Sequence, residues 1–199
     1  MRFKIIFLAA TLASLTLIAA STRVQAQVCP HFNGVVPPSN ETRDIRNQQL
    51  NYRFKIPVNY RTMALRDNRI LIFDPRRFEE AQCLVRNRAG IEFPSSISVV
   101  VEPINPGKRS VADILKQRTL ANITGTRKIA NQTAVTYTTD AMGYGDTNVS
   151  FFTSDRKYMI TISAPFQAEQ NASGERVRGE IFNEAVFNTV LSSFTFARS

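Results

Sequence analysis

Thr147-Asn148-Val149-Ser150-Phe151-Phe152-Thr153-Ser154-Asp155-Arg156-Lys157-Tyr158-Met159-Ile160-Thr161-Ile162-Ser163-Ala164 reads as two strands joined by a tight loop. Pairing Thr153 with Tyr158 across residues 154–157 sets Phe151 against Ile160, Val149 against Ile162 and Thr147 against Ala164. The large apolar residues of that set then share one face, as the period of two along a strand requires. No glycine in the loop offers positive φ, so a four-residue loop around a type I turn is expected instead of a two-residue primed turn. A slip of one residue would turn the whole face to water, so the register is well specified. The stretch predicts a sheet with one buried face and carries no catalytic signature.

At the chain start, Arg2 and Lys4 precede an apolar run over residues 5–20, and Val24-Gln25-Ala26 offers a cleavage site. Residues 1–26 therefore read as a secretory signal peptide, with Gln27 first in the mature chain. The run is shorter than the roughly 20 residues a membrane span needs. The expected location is outside the cytoplasm: periplasm, thylakoid lumen or extracellular space. The remaining length suits one domain.

The formal charge is +9. Arg2, Lys4 and Arg23 fall in the leader and no acid does, which leaves +6 on the remainder. Such a balance suits an acidic protein, a membrane complex or an anionic membrane surface as partner, or simply keeps the protein soluble. Cys29 and Cys83 are the two cysteines. In an oxidising compartment they are expected to pair, tying the N-terminal arm to the domain; the alternative is two buried thiols. Their separation is far from the Cys-x-x-Cys of redox enzymes.

Residues 27–50 are rich in Pro, Asn, Gln and Arg and read as an extended arm, with the domain over 51–199. Tyr52, Phe54 and Ile56 alternate with Arg53 and Lys55 in a strand that Pro57 ends. Arg69-Ile70-Leu71-Ile72-Phe73 reads as a strand covered on both sides. Residues 76–81 suggest one helical turn before Cys83, and residues 86–90 a loop. A strand over 96–102 puts Ile97, Val99 and Val101 on one face. Ser110-Val111-Ala112-Asp113 is a capping box opening a helix to about Leu120. Lys128-Ile129-Ala130 leads through a bend or bulge at Asn131-Gln132 into a strand carrying Val135 and Tyr137. Residues 140–146, with Gly143 and Gly145, and residues 168–174 read as flexible loops. Apolar spacing over 178–191 predicts a helix, and Phe194-Thr195-Phe196 a short strand or packed tail.

This order makes an α+β sandwich. Tyr52-x-Phe54-x-Ile56-Pro57, Ser110-Val111-Ala112-Asp113, Tyr158-Met159-Ile160-Thr161-Ile162 and Val190-Leu191-Ser192-Ser193-Phe194 together resemble PsbP-like proteins, over residues 51–196. The resemblance implies a central antiparallel sheet flanked by helices, the α/β/α sandwich shared with Mog1-like proteins. It also implies non-enzymatic work, as an extrinsic subunit or assembly factor of a membrane complex such as a photosystem. Residues 74–94 have no counterpart in that pattern, and no binding residue carries over.

Catalytic patterns are sparse. His31 is the single histidine; any Ser-His-Asp or Cys-His scheme would need it, and it sits in the polar arm beside a cysteine expected to be oxidised. One histidine and two distant cysteines fit none of the common zinc patterns. Ser154-Asp155-Arg156-Lys157 matches Ser-x-x-Lys, but in a hairpin loop instead of at a helix start. Gly143-Tyr144-Gly145 is too short for a phosphate loop. Glu79-Glu80 and Asp140 with Asp146 lack calcium-ligand spacing. No cofactor and no small-molecule substrate are implied. Tyr137, Phe151 and Tyr158 alternate along strands as core residues do, and no nucleic-acid signature accompanies the charge.

The expected function is a secreted binding or assembly protein. Two other classes remain: a small envelope hydrolase with an unrecognised carboxylate site, and a structural or stress-response envelope protein. The partner-binding candidates are Arg61, Arg66, Arg69, Arg76, Arg77, Arg86 and Arg88, accompanied by Asp67, Asp74, Glu79 and Glu80. Guanidinium at every one of these basic positions suits forked contacts to carboxylate or phosphate. Alternatively these charges pair locally, Arg69 or Arg76 with Asp74 and Arg77 with Glu80.

Overall fold

Thr147–Ala164 pairing is the axis of the computed structural model. It describes residues 28–88, 93–105, 107, 109–118, 121–141, 144–170, 176–179 and 181–196, with 141, 167–170 and 176–179 as backbone alone. The expected signal peptide and its cleavage point at Gln27 lie outside the described residues, as do Gly90, Leu120, Gly143 and residues 171–174.

The elements run β1 (Thr42–Asn47), β2 (Tyr52–Pro57), β3 (Arg61–Ala64), β4 (Arg69–Phe73), α1 (Pro75–Arg86), β5 (Ile97–Pro103), α2 (Val111–Gln117), β6 (Asn122–Ile129), β7 (Gln132–Ala141), β8 (Tyr144–Phe152), β9 (Tyr158–Gln170), β10 (Arg176–Gly179), α3 (Glu184–Ser193) and β11 (Thr195–Phe196). The main antiparallel sheet has the order β3-β4-β5-β9-β8-β7-β6, with β10 on the far part of β9; β1-β2-β11 form a second, smaller sheet. The α+β sandwich of an antiparallel sheet flanked by helices is thus realised.

The β8–β9 register is the one read from the sequence: Phe151 opposite Ile160, Val149 opposite Ile162, Thr147 opposite Ala164. Arg156 N donates to Thr153 O at 2.9 Å across the loop, and Arg156 takes φ 57. The Asp155 carboxylate steadies it, accepting from Thr153 Oγ1 at 2.6 Å and Lys157 N at 3.1 Å. Ile97, Val99 and Val101 of β5 extend the apolar face. Upon it sit Tyr52, Phe54 and Ile56 of β2, with Val186, Phe187, Val190 and Leu191 of α3. Phe194 is the hub, 5.1 Å from Phe151 edge-on and 5.2 Å from Tyr52 in a stack. The other face carries two smaller cores. Under α2 they comprise Val111, Ile114, Leu115, Val135, Tyr137, Phe152 and Met159; beside α1 they comprise Leu71, Phe73 and Ala81.

Several local expectations are corrected. The arm is not wholly outside the domain, because Thr42–Asn47 pairs along the full length of β2 and Ile45 packs on the core. The single turn at 76–81 is a helix of 12 residues that includes Cys83. The segment before β7 is itself a strand, and the link to it is a two-residue turn in which Ala130 and Asn131 take φ 47 and 64, the primed-turn geometry. Residues 140–146 are mostly strand, for β7 and β8 continue to Ala141 and Tyr144. Gly145 is required there: a Cβ would meet the Thr139 carbonyl and lie 2.7 Å from the Phe166 ring. Residues 168–170 continue β9, and 176–179 form β10 instead of opening the last helix. That helix starts at Glu184 because Asn183 caps it, its Oδ1 accepting from Ala185 N at 3.0 Å.

Candidate functional site: a basic hairpin and helix

The arginine-rich segment folds as one unit, the β3–β4 hairpin at the edge of the main sheet and α1 beside it. Its helix has a clear local cause. Asp74 is the N-cap, accepting from Arg76 N at 3.0 Å and Arg77 N at 3.2 Å, and Pro75 presets φ in the first turn. The helix buries Glu80, Ala81 and Cys83.

The structure splits the seven arginines into different environments. Arg77 turns inward, 3.6 Å from the buried Asp74 carboxylate, and donates to the carbonyls of Ser95 and Ile181. Arg61, Arg66, Arg69, Arg76, Arg86 and Arg88 are exposed. Arg61 is tied to the backbone, donating to Val58 O at 2.7 Å and Tyr60 O at 3.1 Å. Arg69 pairs with Asp67 at 2.9 Å. Arg86 Nε reaches Gln82 O at 3.3 Å. The local pairing expected of Arg69 or Arg76 with Asp74, and of Arg77 with Glu80, is replaced by Arg69–Asp67 and Arg77–Asp74.

The acids of the segment divide the other way. Asp74 and Glu80 are buried, while Asp67 and Glu79 are exposed. Glu80 accepts a contact from His31 Nδ1 at 2.9 Å, so the histidine has a structural partner in α1. Three residues further along the helix, Cys83 is joined to Cys29 in a disulfide with Cα atoms 5.6 Å apart. Asn87 Nδ2 lies 3.2 Å from one sulfur and 3.3 Å from the other. The arm is anchored again where Tyr60 Oη donates to Val36 O at 2.8 Å and Asn59 Nδ2 to Pro37 O at 2.9 Å. Burial, and next the charge of Asp74, push the Tyr60 hydroxyl up to about 12, with Arg77 opposing.

Other sites weighed from sequence fall apart in space or role. Ser154 and Lys157 are exposed at the hairpin tip, and Lys157 Nζ stands 3.8 Å from Asp155. Glu79 faces solvent while Glu80 faces His31. Asp146 lies opposite Thr139, and burial raises its carboxyl above the usual range. Among the described residues no group of three or more His, Cys, Asp and Glu is placed to hold a metal ion. No described helix is long and apolar enough to cross a membrane.

A polar row on the α2 side was not foreseen. Tyr137 Oη meets Ser150 Oγ at 3.2 Å, Ser150 Oγ meets Thr161 Oγ1 at 2.7 Å, and Ser163 Oγ donates to Asn148 Oδ1 at 2.6 Å. The expectation of a single buried face left Asn148, Ser150, Thr161 and Ser163 on the open side, whereas Asn148 and Ser150 are buried. Mutual hydrogen bonding makes that burial tolerable.

No family model matches the sequence, and no curated protein matches it. The chain is similar to the solution structure of cyanobacterial PsbP (CyanoP) from Synechocystis sp. PCC 6803, at 16% identity and a TM-score of 0.46, over 84% of this chain and 98% of that one. It is also similar to a crystal structure from Bacteroides thetaiotaomicron VPI-5482, at 10% identity and a TM-score of 0.46, over 78% of this chain and 48% of that one.

Proposed function

We propose that this chain is an exported, non-enzymatic binding or assembly protein whose basic hairpin and helix dock onto an acidic protein or the acidic face of a membrane complex. The observation that carries the reading is the division of charge across α1. Six arginines of the segment are exposed against two exposed acids, because Asp74 and Glu80 are drawn inside. Burial of those acids leaves the outer surface more basic than the composition of the segment suggests. Guanidinium groups on an edge hairpin and one helix suit forked contacts to carboxylates. The PsbP-like order of sequence motifs is in keeping with an extrinsic subunit or assembly role.

The test replaces Arg66, Arg76 and Arg88 by Gln and leaves Arg61, Arg77 and Arg86, which hold backbone carbonyls. Binding to immobilised polyglutamate and to phosphatidylglycerol vesicles is followed across a salt series. The native protein should bind polyglutamate at low salt and release steeply as screening shortens toward about 8 Å. The variant should bind weakly throughout with an unchanged melting temperature. Equal binding by both proteins at every salt concentration refutes the docking role of this surface.

A further inference from the structure

The small sheet turns Tyr52, Phe54 and Ile56 onto the core and its other side to solvent. On the solvent side Arg46 of β1 stands directly opposite Arg53 of β2. Like charges set directly across an antiparallel pair destabilise it. The compensation is partial. Arg46 Nη2 reaches Asp44 Oδ2 at 3.3 Å, and Arg53 Nε donates to Thr195 Oγ1 at 3.1 Å. Each guanidinium has several further N–H donors. Lys55 lies opposite Asp44, so that acid is shared among cations and the face stays basic.

An open groove of about 600 Å³ is lined by both arginines, with Gln48, Asn51 and Thr195 beside them; the Phe196 ring turns to Phe151 and Phe194 on the core side. That volume falls in the range of ligand sites. The wall is fixed: Asn47 Nδ2 donates to Tyr52 Oη at 3.3 Å, and Asn47 Oδ1 accepts from Leu50 N at 3.0 Å. A carboxylate at the arginines would offset their repulsion and take N–H donors that Asp44 and Thr195 leave over. We propose that this groove binds the carboxylate of an acidic peptide segment through Arg46 and Arg53. It is concave, which suits a protruding chain better than a flat lipid surface. It is also separate from the α1 unit, which packs on the other face of the main sheet, so the two surfaces can fail independently.

The test titrates acetyl-Glu-Glu into the full chain, with inorganic phosphate and phosphatidylserine vesicles as the other arms, and follows backbone and arginine side-chain resonances by NMR. The peptide should saturate, moving the signals of Arg46, Gln48, Arg53, Thr195 and Phe196 together. Arg46→Gln and Arg53→Gln should each weaken it about tenfold, the factor an ordinary charge-assisted hydrogen bond supplies. Both variants should melt no lower than the parent, since each removes a like-charge pair. Replacement of Arg66 and Arg76 by Gln should leave the affinity unchanged. The proposal is overturned if the shifts scatter over the surface, if the Arg46 and Arg53 variants bind equally well, or if they melt markedly lower. It is overturned equally if phosphate or vesicles move this set of signals and the peptide does not.

Discussion

Replacing Asp74 by Asn should unsettle the unit that carries the arginines. Asp74 is 4% exposed. One of its oxygens caps α1 through Arg76 N and Arg77 N, and the other faces Arg77 Nε at 3.6 Å. The Arg77 side chain is itself only 11% exposed. Asparagine keeps an oxygen for the cap, so the change isolates the lost charge. Removing one partner of a buried ion pair costs about 3–5 kcal/mol. The carbonyls of Ser95 and Ile181 still accept from Arg77, which places the expected loss near the lower end, about 3 kcal/mol. Asp74→Ala also loses the cap and should cost about 1 kcal/mol more. Adding Arg77→Met to Asp74→Asn should recover much of the loss, since the stranded charge is gone. Denaturant unfolding reads these values. A second readout comes from Tyr60, whose hydroxyl burial and the Asp74 charge together hold at about 12. In Asp74→Asn its ionisation, followed by ultraviolet absorbance, should shift downward. A loss within about 0.5 kcal/mol, the range of ordinary surface sites, with an unmoved tyrosine would refute the described cluster.

Phe151 is fully buried between Ile160 and Phe194, so Phe151→Ala should cost about 3–5 kcal/mol in denaturant unfolding; a near-neutral result would mean a different register. Gly145→Ala should lower the melting temperature, because the new methyl group meets the Thr139 carbonyl and the Phe166 ring; unchanged melting would contradict that close approach. Denatured, unreduced protein should show no reactive thiol from Cys29 or Cys83, and reduction should lower stability by up to about 4 kcal/mol for a bond spanning 54 residues; two titratable thiols would exclude the bridge. Tyr60 binds its proton more tightly in the folded chain than in the unfolded one, so its contribution is complete below about pH 10 and fades as pH rises toward 12. Tyr60→Phe should flatten that alkaline decline, and an identical pH profile in the two proteins would show that other groups cause it.

What could be read from the sequence follows from how much each segment buries. The β8–β9 register was legible because Val149, Phe151, Ile160 and Ile162 all fall on one face. The Ser110–Asp113 capping box was legible because it is local: Asp113 N donates to Ser110 Oγ at 3.2 Å and Ser110 N to Asp113 Oδ2 at 3.0 Å. β1 was hidden because Ile45 is its sole aliphatic side chain, and the strand forms by hydrogen bonding along β2. β6 was hidden by its mostly exposed pattern and by a primed turn at Ala130 and Asn131 that no glycine announces. The true length of α1 was hidden because a glutamate lies on its buried side.

The same hidden glutamate explains why the candidate site was only half legible. Spacing along a helix suggested Arg77 with Glu80, a pair that would have neutralised part of the surface. Instead Asp74 turns back onto its own helix start and holds Arg77, while Glu80 is met by His31 from an arm fastened by Cys29 to the next turn. A charge count over residues 61–88 cannot distinguish these two arrangements, since both contain the same groups. The difference lies in long-range contacts, from residue 31 to 80 and from 29 to 83. His31 engages Glu80 and the helix start engages Asp74, while Arg66, Arg76, Arg86 and Arg88 stay on the outer surface. The arm that the disulfide fastens at Cys83 is the same one that brings His31 to Glu80, three residues earlier on the buried side of the helix.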